Sequence, residues 1–273
     1  MKIKSFFYIA FSILISFNSL AQNKERKFKI HTLAFYNLEN LFDTINDVNK
    51  NDEASPIMEI KFNRGNIYKQ KVTNMARVIS EIGYDVTNRP PTIVGICEVE
   101  NRNVVEDLIA NEKLSKYNYG IVHYDSPDRR GIDVGLLYNK DIFKVINSNS
   151  HVLYINYNNT SDRSFTRDQL VVSGKLDGEL IHLIVNHWPS RGADETKRMA
   201  AAEVNNSIID SLRKIHNNPK IITMGDFNDD PFDKSIKKIL GAKKKIEDVG
   251  KNDLYNPFEI GRAHVWTPVT VPY

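Results

Sequence analysis

Six short apolar runs separated by helical stretches constrain this chain most. Ile30–Tyr36, Thr92–Cys97, Ile132–Tyr138, Gln169–Leu176, Leu180–Val185 and Lys220–Met224 are rich in Ile, Val, Leu and aromatics, and Gly, Asn or Asp bounds most of them, as strands require. Several are apolar almost throughout, so both faces of their sheets must be covered. Helices are predicted over Tyr68–Ile82, from Val72, Met75, Ile79 and Ile82, and over Asp194–Ile215, from Met199, Val204, Ile208, Leu212 and Ile215. A shorter one follows Asn101, an N-cap, through Val104, Val105, Leu108 and Ile109. This mixture predicts α/β or α+β layering in one domain. Asp43–Asn66, polar and carrying Pro56 and Gly65, reads as a long surface loop.

The two ends of the 273 residues read differently. Lys2 and Lys4, the apolar run Phe6–Phe17 and the small-x-small pattern Ser19-Leu20-Ala21 predict a secretory signal peptide over residues 1–21. The run is too short to span a membrane. Removing it lowers the formal charge from +3 to +1, so the mature chain has no global pull on nucleic acid or membrane. The expected location is periplasmic or secreted, with no transmembrane segment after signal removal and no stable protein partner. Residues 259–273 resemble a translated sequencing adapter, interrupted by Pro268 and Pro272, and are expected to be non-native; residues 22–258 form the expected domain. A single cysteine, Cys97, excludes a disulfide framework and a cysteine-based zinc cluster.

Four of the runs end alike. Phe35-Tyr36 leads into Asn37-Leu38-Glu39-Asn40, and Ile96-Cys97 into Glu98-Val99-Glu100. Val185 leads into Asn186-His187-Trp188, and Met224-Gly225 into Asp226-Phe227-Asn228. Glu98 and Asp226 offer hard carboxylate oxygens, and Asn37 and Asn228 neutral amide oxygens. That set suits Mg²⁺, with Mn²⁺ as the related alternative, rather than zinc. Such an ion polarises phosphoryl oxygens and acidifies bound water, and an adjacent Asp can take the attacking water's proton. Gly225 permits a tight turn that directs Asp226 and Asn228 to one centre and Phe227 to the core. An Asx-rich turn is the bland alternative for Gly-Asp-Phe-Asn-Asp.

These four motifs, in this order, resemble the endonuclease/exonuclease/phosphatase superfamily over nearly all of residues 30–258. The resemblance implies a four-layer α/β/β/α sandwich of two mainly antiparallel sheets flanked by helices. Its metal site would lie at one edge, and the last strands would be missing here. It further implies that Asn37 and Glu98 are metal-side residues and that Asp226 orients or deprotonates water. Asn228 would bind phosphate, and His187 would contact the scissile phosphate. Tyr124 and the Asp128-Arg129-Arg130-Gly131 run lie where the family places substrate contacts. Arg130, Arg167 and Arg191 become phosphate-contact candidates, with Arg191 foremost because it adjoins His187. The family's closing Asp-His pair has no counterpart after Phe258, and His264 lies in the foreign-looking tail. An impaired enzyme is therefore expected, by about 10²–10⁴-fold. The activity implied is an exported Mg²⁺-dependent phosphodiesterase of nuclease type acting on a phosphate ester, nucleic acid among the candidates. The alternatives are a phosphomonoesterase, a sphingomyelinase-type lipid hydrolase, or a non-catalytic polyanion-binding module.

Overall fold

The computed structural model describes residues 29–156 and 161–260. The expected signal peptide and residues 261–273 of the expected tail lie outside the described residues. The chain divides into a short unit, Met1–His31, and a body, Thr32–Tyr273, which carries everything that follows.

The body's first sheet contains β1 (Leu33–Leu41), β2 (Ile93–Val99), β3 (Tyr119–His123) and β4 (Asp133–Asn139) in the order β1-β2-β4-β3. Its second contains β5 (Phe143–His151), β8 (Gln169–Leu176), β9 (Glu179–His187) and β10 (Lys220–Asp226) in the order β10-β9-β8-β5. The small strands β6 (Ile155–Asn156) and β7 (Arg163–Ser164) pair with each other. In each sheet the strand at one edge runs parallel to its neighbour and the other pairings are antiparallel.

Residue alternation assigns the layers. Along β2, Ile93 and Cys97 enter the core between the sheets, where they meet Leu170, Val172, Leu183 and Val185. Val94 and Ile96 face the other way, onto α1 (Arg64–Glu81) and α2 (Arg102–Ala110). Beyond the second sheet, Val171 and Ile184 pack against Ile208 and Ile209 of α3 (Glu195–Ile215). Helices, sheet, sheet and helix make the expected four-layer α/β/β/α sandwich. Asn101 caps α2 by accepting the Val104 N–H at 3.1 Å, and Asp194 caps α3 by accepting the Thr196 N–H at 2.8 Å, each satisfying an orphan amide.

Several expectations are corrected. The strand expected over Ile30–Tyr36 starts at Leu33 and runs on to Leu41, which draws Asn37 and Glu39 into it. β3 and β5 are absent from the six apolar runs. β3 is short and interrupted by Gly120, whereas β5 is a largely polar edge strand without a buried alternate face. The stretch Asp43–Asn66 is more than a surface loop. It holds helical turns at Asp52–Ala54 and Pro56–Glu59, and Ile57 is buried with Phe42 and Ile132 in a small satellite core. On α3 the buried face is Ala201, Ala202, Asn205, Ile208 and Ile209, while Ile215 is 72% exposed.

Candidate active site

The parallel pairs bring the four strand ends together. Register sets Asn37 beside Cys97 at the end of β1 and β2, and Asp226 beside His187 at the end of β10 and β9. Asn37 Nδ2 donates to Glu98 Oε1 at 2.9 Å within the first sheet and, across the stacked sheets, to Asp226 Oδ2 at 3.1 Å. One amide thereby joins carboxylates from both sheets.

Irregular backbone aims these groups. The β2–β4 register slips between Cys97 and Val99, and the intervening Glu98 adopts φ 59°. The β1–β2 register slips between Asn37 and Leu41, with Glu39 at φ 49° and Asn40 at φ 58°. Bulges of this kind re-aim a side chain out of the regular pleat. The Asn40 N–H donates to Glu98 Oε2 at 3.0 Å, and the Glu39 N–H to Asn37 Oδ1 at 2.8 Å. From α1, Lys71 Nζ donates to the Glu39 and Asn40 carbonyls and fastens the bulge from behind. Burial holds the Lys71 ammonium down at about 8, against the pull of Glu39 and Glu98. The sequence gives no sign of this role: Lys71 is one cation among many on a helix.

Asp226 Oδ1 accepts the Asn228 N–H at 3.0 Å, with Asn228 at φ 51°. The Asn228 amide donates to the Trp188 carbonyl at 3.0 Å, so it braces the loop after β9 as well as flanking Asp226. Phe227 turns inward, edge-on to Trp188 with ring centroids 4.7 Å apart. Asn186 faces away from the cluster, where its amide oxygen accepts from Asn205 of α3 at 3.0 Å and from the Trp188 indole at 3.1 Å.

His187 is buried, with Nε2 3.7 Å from Glu98 Oε1 and Nδ1 buried without a partner. Burial, then the positive charges of Arg167 and Arg130, hold the imidazole well below its usual range. It is therefore neutral at physiological pH, with one ring N–H to donate. Ligand atoms of Cys97, His187 and Asp226 lie within 4.8 Å of one another. The sequence motifs already join His187 and Asp226 in one site, but give no sign that Cys97 lies with them. Burial, with Glu98 and Asp226 adding to it, pushes the Cys97 thiol well up, so it offers no thiolate. The remaining donors are the hard carboxylate oxygens of Glu98 and Asp226 and one imidazole, which fit a Mg²⁺-like ion; Asn37 turns its NH2 to the two carboxylates and its oxygen to the Glu39 N–H, so it positions the donors and is not one of them.

The expected substrate residues are distributed unevenly. Arg167 is buried beside the site, its guanidinium on Asp128 Oδ2 at 3.2 Å and on the Trp188 carbonyl at 2.7 Å. Arg130 is exposed, 3.5 Å from Asp128 Oδ1. Arg191, the foremost candidate, is held by Asp230 at 3.0 Å and Asp233 at 2.9 Å, and donates to the Asn228 carbonyl at 3.1 Å. It serves as a strut for the Asn228 loop, neutralised by two acids. Tyr124 follows β3 on the opposite side of the first sheet from β1, and its hydroxyl pairs with Ser148 Oγ at 2.7 Å. No contact joins it to the cluster among the described residues. A second buried anchor went unread in the sequence: Arg198 of α3, whose Nε meets Asp229 Oδ1 at 2.6 Å while Nη1 holds the Ser190 and Ala193 carbonyls.

A two-sheet α/β sandwich whose parallel strand ends converge on carboxylates, an amide and a neutral imidazole defines the class: a sandwich with an acidic, imidazole-flanked cluster at one edge. The pattern of the Endonuclease/Exonuclease/phosphatase family matches residues 32–261, and the chain belongs to that family, whose members hydrolyse phosphate esters. No curated protein sequence matches it. Among solved structures it is similar to ANGEL2, a 2′,3′-cyclic phosphatase, at 14% identity and TM-score 0.51, over 77% of this chain and 56% of that one. It is also similar to a functionally unknown conserved protein from Enterococcus faecalis V583, at 16% identity and TM-score 0.47, over 64% of each chain. The human Nocturnin catalytic domain, with bound sulfate, gives 19% identity and TM-score 0.46, over 62% of this chain and 63% of that one. The chain thus spans less than two thirds of each of these structures. The ANGEL2 match carries the fold. Among the described residues no helix is long and apolar enough to cross a membrane.

Proposed function

We propose that this chain is an exported, Mg²⁺-dependent phosphodiester hydrolase of nuclease-like type. The observation that carries the reading is the Asn37 amide shared between Glu98 and Asp226, at 2.9 and 3.1 Å, because it brings carboxylates from both sheets to one centre. Glu98 would hold the cation, with Asn37 on the metal side orienting its carboxylate, and with Mn²⁺ as the alternative ion. Bound there, it would polarise a phosphoryl oxygen and acidify water.

The chain's own residues supply the rest. Asp226, fixed by the Asn37 amide and the Asn228 N–H, orients the attacking water and takes its proton. His187, kept neutral, donates its ring N–H to a phosphoryl oxygen as charge builds there. Asn228 braces Asp226 and flanks the phosphate, and Arg130 and Arg167 supply positive potential on the His187 side. Export rests on the leader pattern over residues 1–21.

The test screens DNA, RNA, sphingomyelin and phosphate monoesters with Mg²⁺. Hydrolysis of phosphodiesters should disappear with EDTA and fall by about 10²–10⁴-fold in Asp226→Asn. Turnover indifferent to both would refute the reading.

A further inference from the structure

A single peptide group connects helix α1 to Glu98. A peptide unit is planar, so its carbonyl and its N–H point in opposite directions. In the unit that joins Glu39 to Asn40, the carbonyl accepts from Lys71 Nζ, and the N–H donates to Glu98 Oε2 at 3.0 Å. The ammonium and the carboxylate therefore hold opposite ends of the same group. A second bond, from Lys71 Nζ to the Asn40 carbonyl at 3.0 Å, holds the next peptide as well.

This orientation needs support. Glu39 and Asn40 lie at φ 49° and φ 58°, in the left-handed region that residues with a Cβ adopt at a cost, glutamate more than asparagine. Rotating the Glu39–Asn40 peptide by half a turn would return Asn40 to an ordinary negative φ and withdraw the N–H from Glu98. Lys71 opposes that rotation by holding the carbonyl. A charged donor on the carbonyl also polarises the peptide and strengthens its N–H towards the carboxylate.

We propose that Lys71 is a positioning residue that sets the cation affinity of the hydrolytic centre, acting on Glu98 through the Glu39–Asn40 peptide. This assignment rests on the hydrolase reading above and adds to it what tunes the cation.

The charge of Lys71 and its hydrogen bonds act with opposite signs. The ammonium interacts with Glu98 through its charge, and a positive charge near a bound cation repels it. If charge were the whole effect, removing it would tighten cation binding. Losing the peptide's orientation would loosen binding instead, by about 10–100-fold where outer partners of metal ligands are lost.

The first measurement is Mn²⁺ binding to the full chain, without substrate, followed by the spin-resonance signal of free Mn²⁺. The parent should show a saturable site that Glu98→Gln removes. Lys71→Met, which keeps the stem and the helix but loses the donor, should weaken that site by about tenfold or more. Arg77→Met removes an exposed cation of the same helix, one paired with Glu81 at 3.4 Å, and should leave the affinity unchanged. Equal or tighter binding in Lys71→Met, with the Glu98-dependent site intact in the parent, overturns the role of Lys71 and leaves the hydrolase reading standing. A parent that binds no Mn²⁺ overturns the cation centre and this assignment with it.

The second measurement follows phosphodiester hydrolysis against Mg²⁺ concentration. Lys71→Met should need about tenfold more Mg²⁺ for half-maximal kcat, with KM for the diester unchanged once Mg²⁺ saturates. A loss of kcat that saturating Mg²⁺ does not restore would mark a general loosening of the fold and overturn the assignment.

Discussion

Asp226 depends on the residue before it. Gly225 sits at φ 157°, and a Cβ there would lie 2.3 Å from the Asn186 carbonyl oxygen and 2.6 Å from the Asn186 Cβ. Neither can yield: the carbonyl is backbone in the β9–β10 pairing, and the Asn186 amide is tied to Thr223, Met224 and Asn205. The glycine lets β10 run close enough to β9 for Asp226 to stand opposite His187. Gly225→Ala should therefore cost about 1–3 kcal/mol, as overpacking does, and should displace Asp226 as well. Urea unfolding gives the first quantity. The second would appear as a further fall in hydrolysis per folded molecule. A variant as stable and as active as the parent would show that the strands can separate without harm.

At the scale of elements, Arg198 links three pieces that carry the site. It projects from α3, holds the Ser190 and Ala193 carbonyls after β9, and meets Asp229 in the loop after β10. Asp229 accepts in turn from Ser235 Oγ at 2.6 Å. Both ionic side chains are buried, at 8% and 2% exposure. Removing one partner strands the other, so Arg198→Met should destabilise by about 3–5 kcal/mol, whereas Arg198→Met with Asp229→Asn should recover much of that loss. Thermal or urea unfolding of the two variants compares them directly, and equal losses would mean that the pair is not coupled. This staple also marks how far the site was legible. Strand ends could be read because acceptor-rich residues break apolar runs abruptly, at Asn37, Glu98, His187 and Asp226 alike. The core strands were legible for the same reason, since both of their faces are apolar. The pairing of Asn37 with Asp226, 189 residues apart, is set by the stacking of two sheets and leaves no local trace. Arg191 and Arg198 look equivalent in sequence. Only the surrounding acids show that one is an exposed strut and the other a buried staple, and that Arg167 is the arginine enclosed beside His187.

For the molecule as a whole, one carboxyl ties stability to pH. Glu100, just past β2, accepts the Asp43 N–H at 2.7 Å and clamps the Asp43–Ser55 stretch onto the first sheet. Burial pushes its carboxyl up to about 7; the Asp43 N–H opposes this, and the Asp43 and Asp52 carboxylates add to it. Between the ordinary value of 4.5 and about 7, the folded chain keeps a proton that the unfolded chain has released. Folding stability from this group is therefore fully present below 4.5, declines as pH rises through that window, and is level above 7. The total curve does not isolate Glu100, but a difference does. Glu100→Gln mimics the protonated form. Relative to the parent it should gain stability steadily from pH 4.5 to 7 and hold a constant advantage above that. Urea midpoints of both proteins across pH 4 to 9 would give the difference curve. A flat difference would mean that Glu100 ionises in the folded chain as freely as in water.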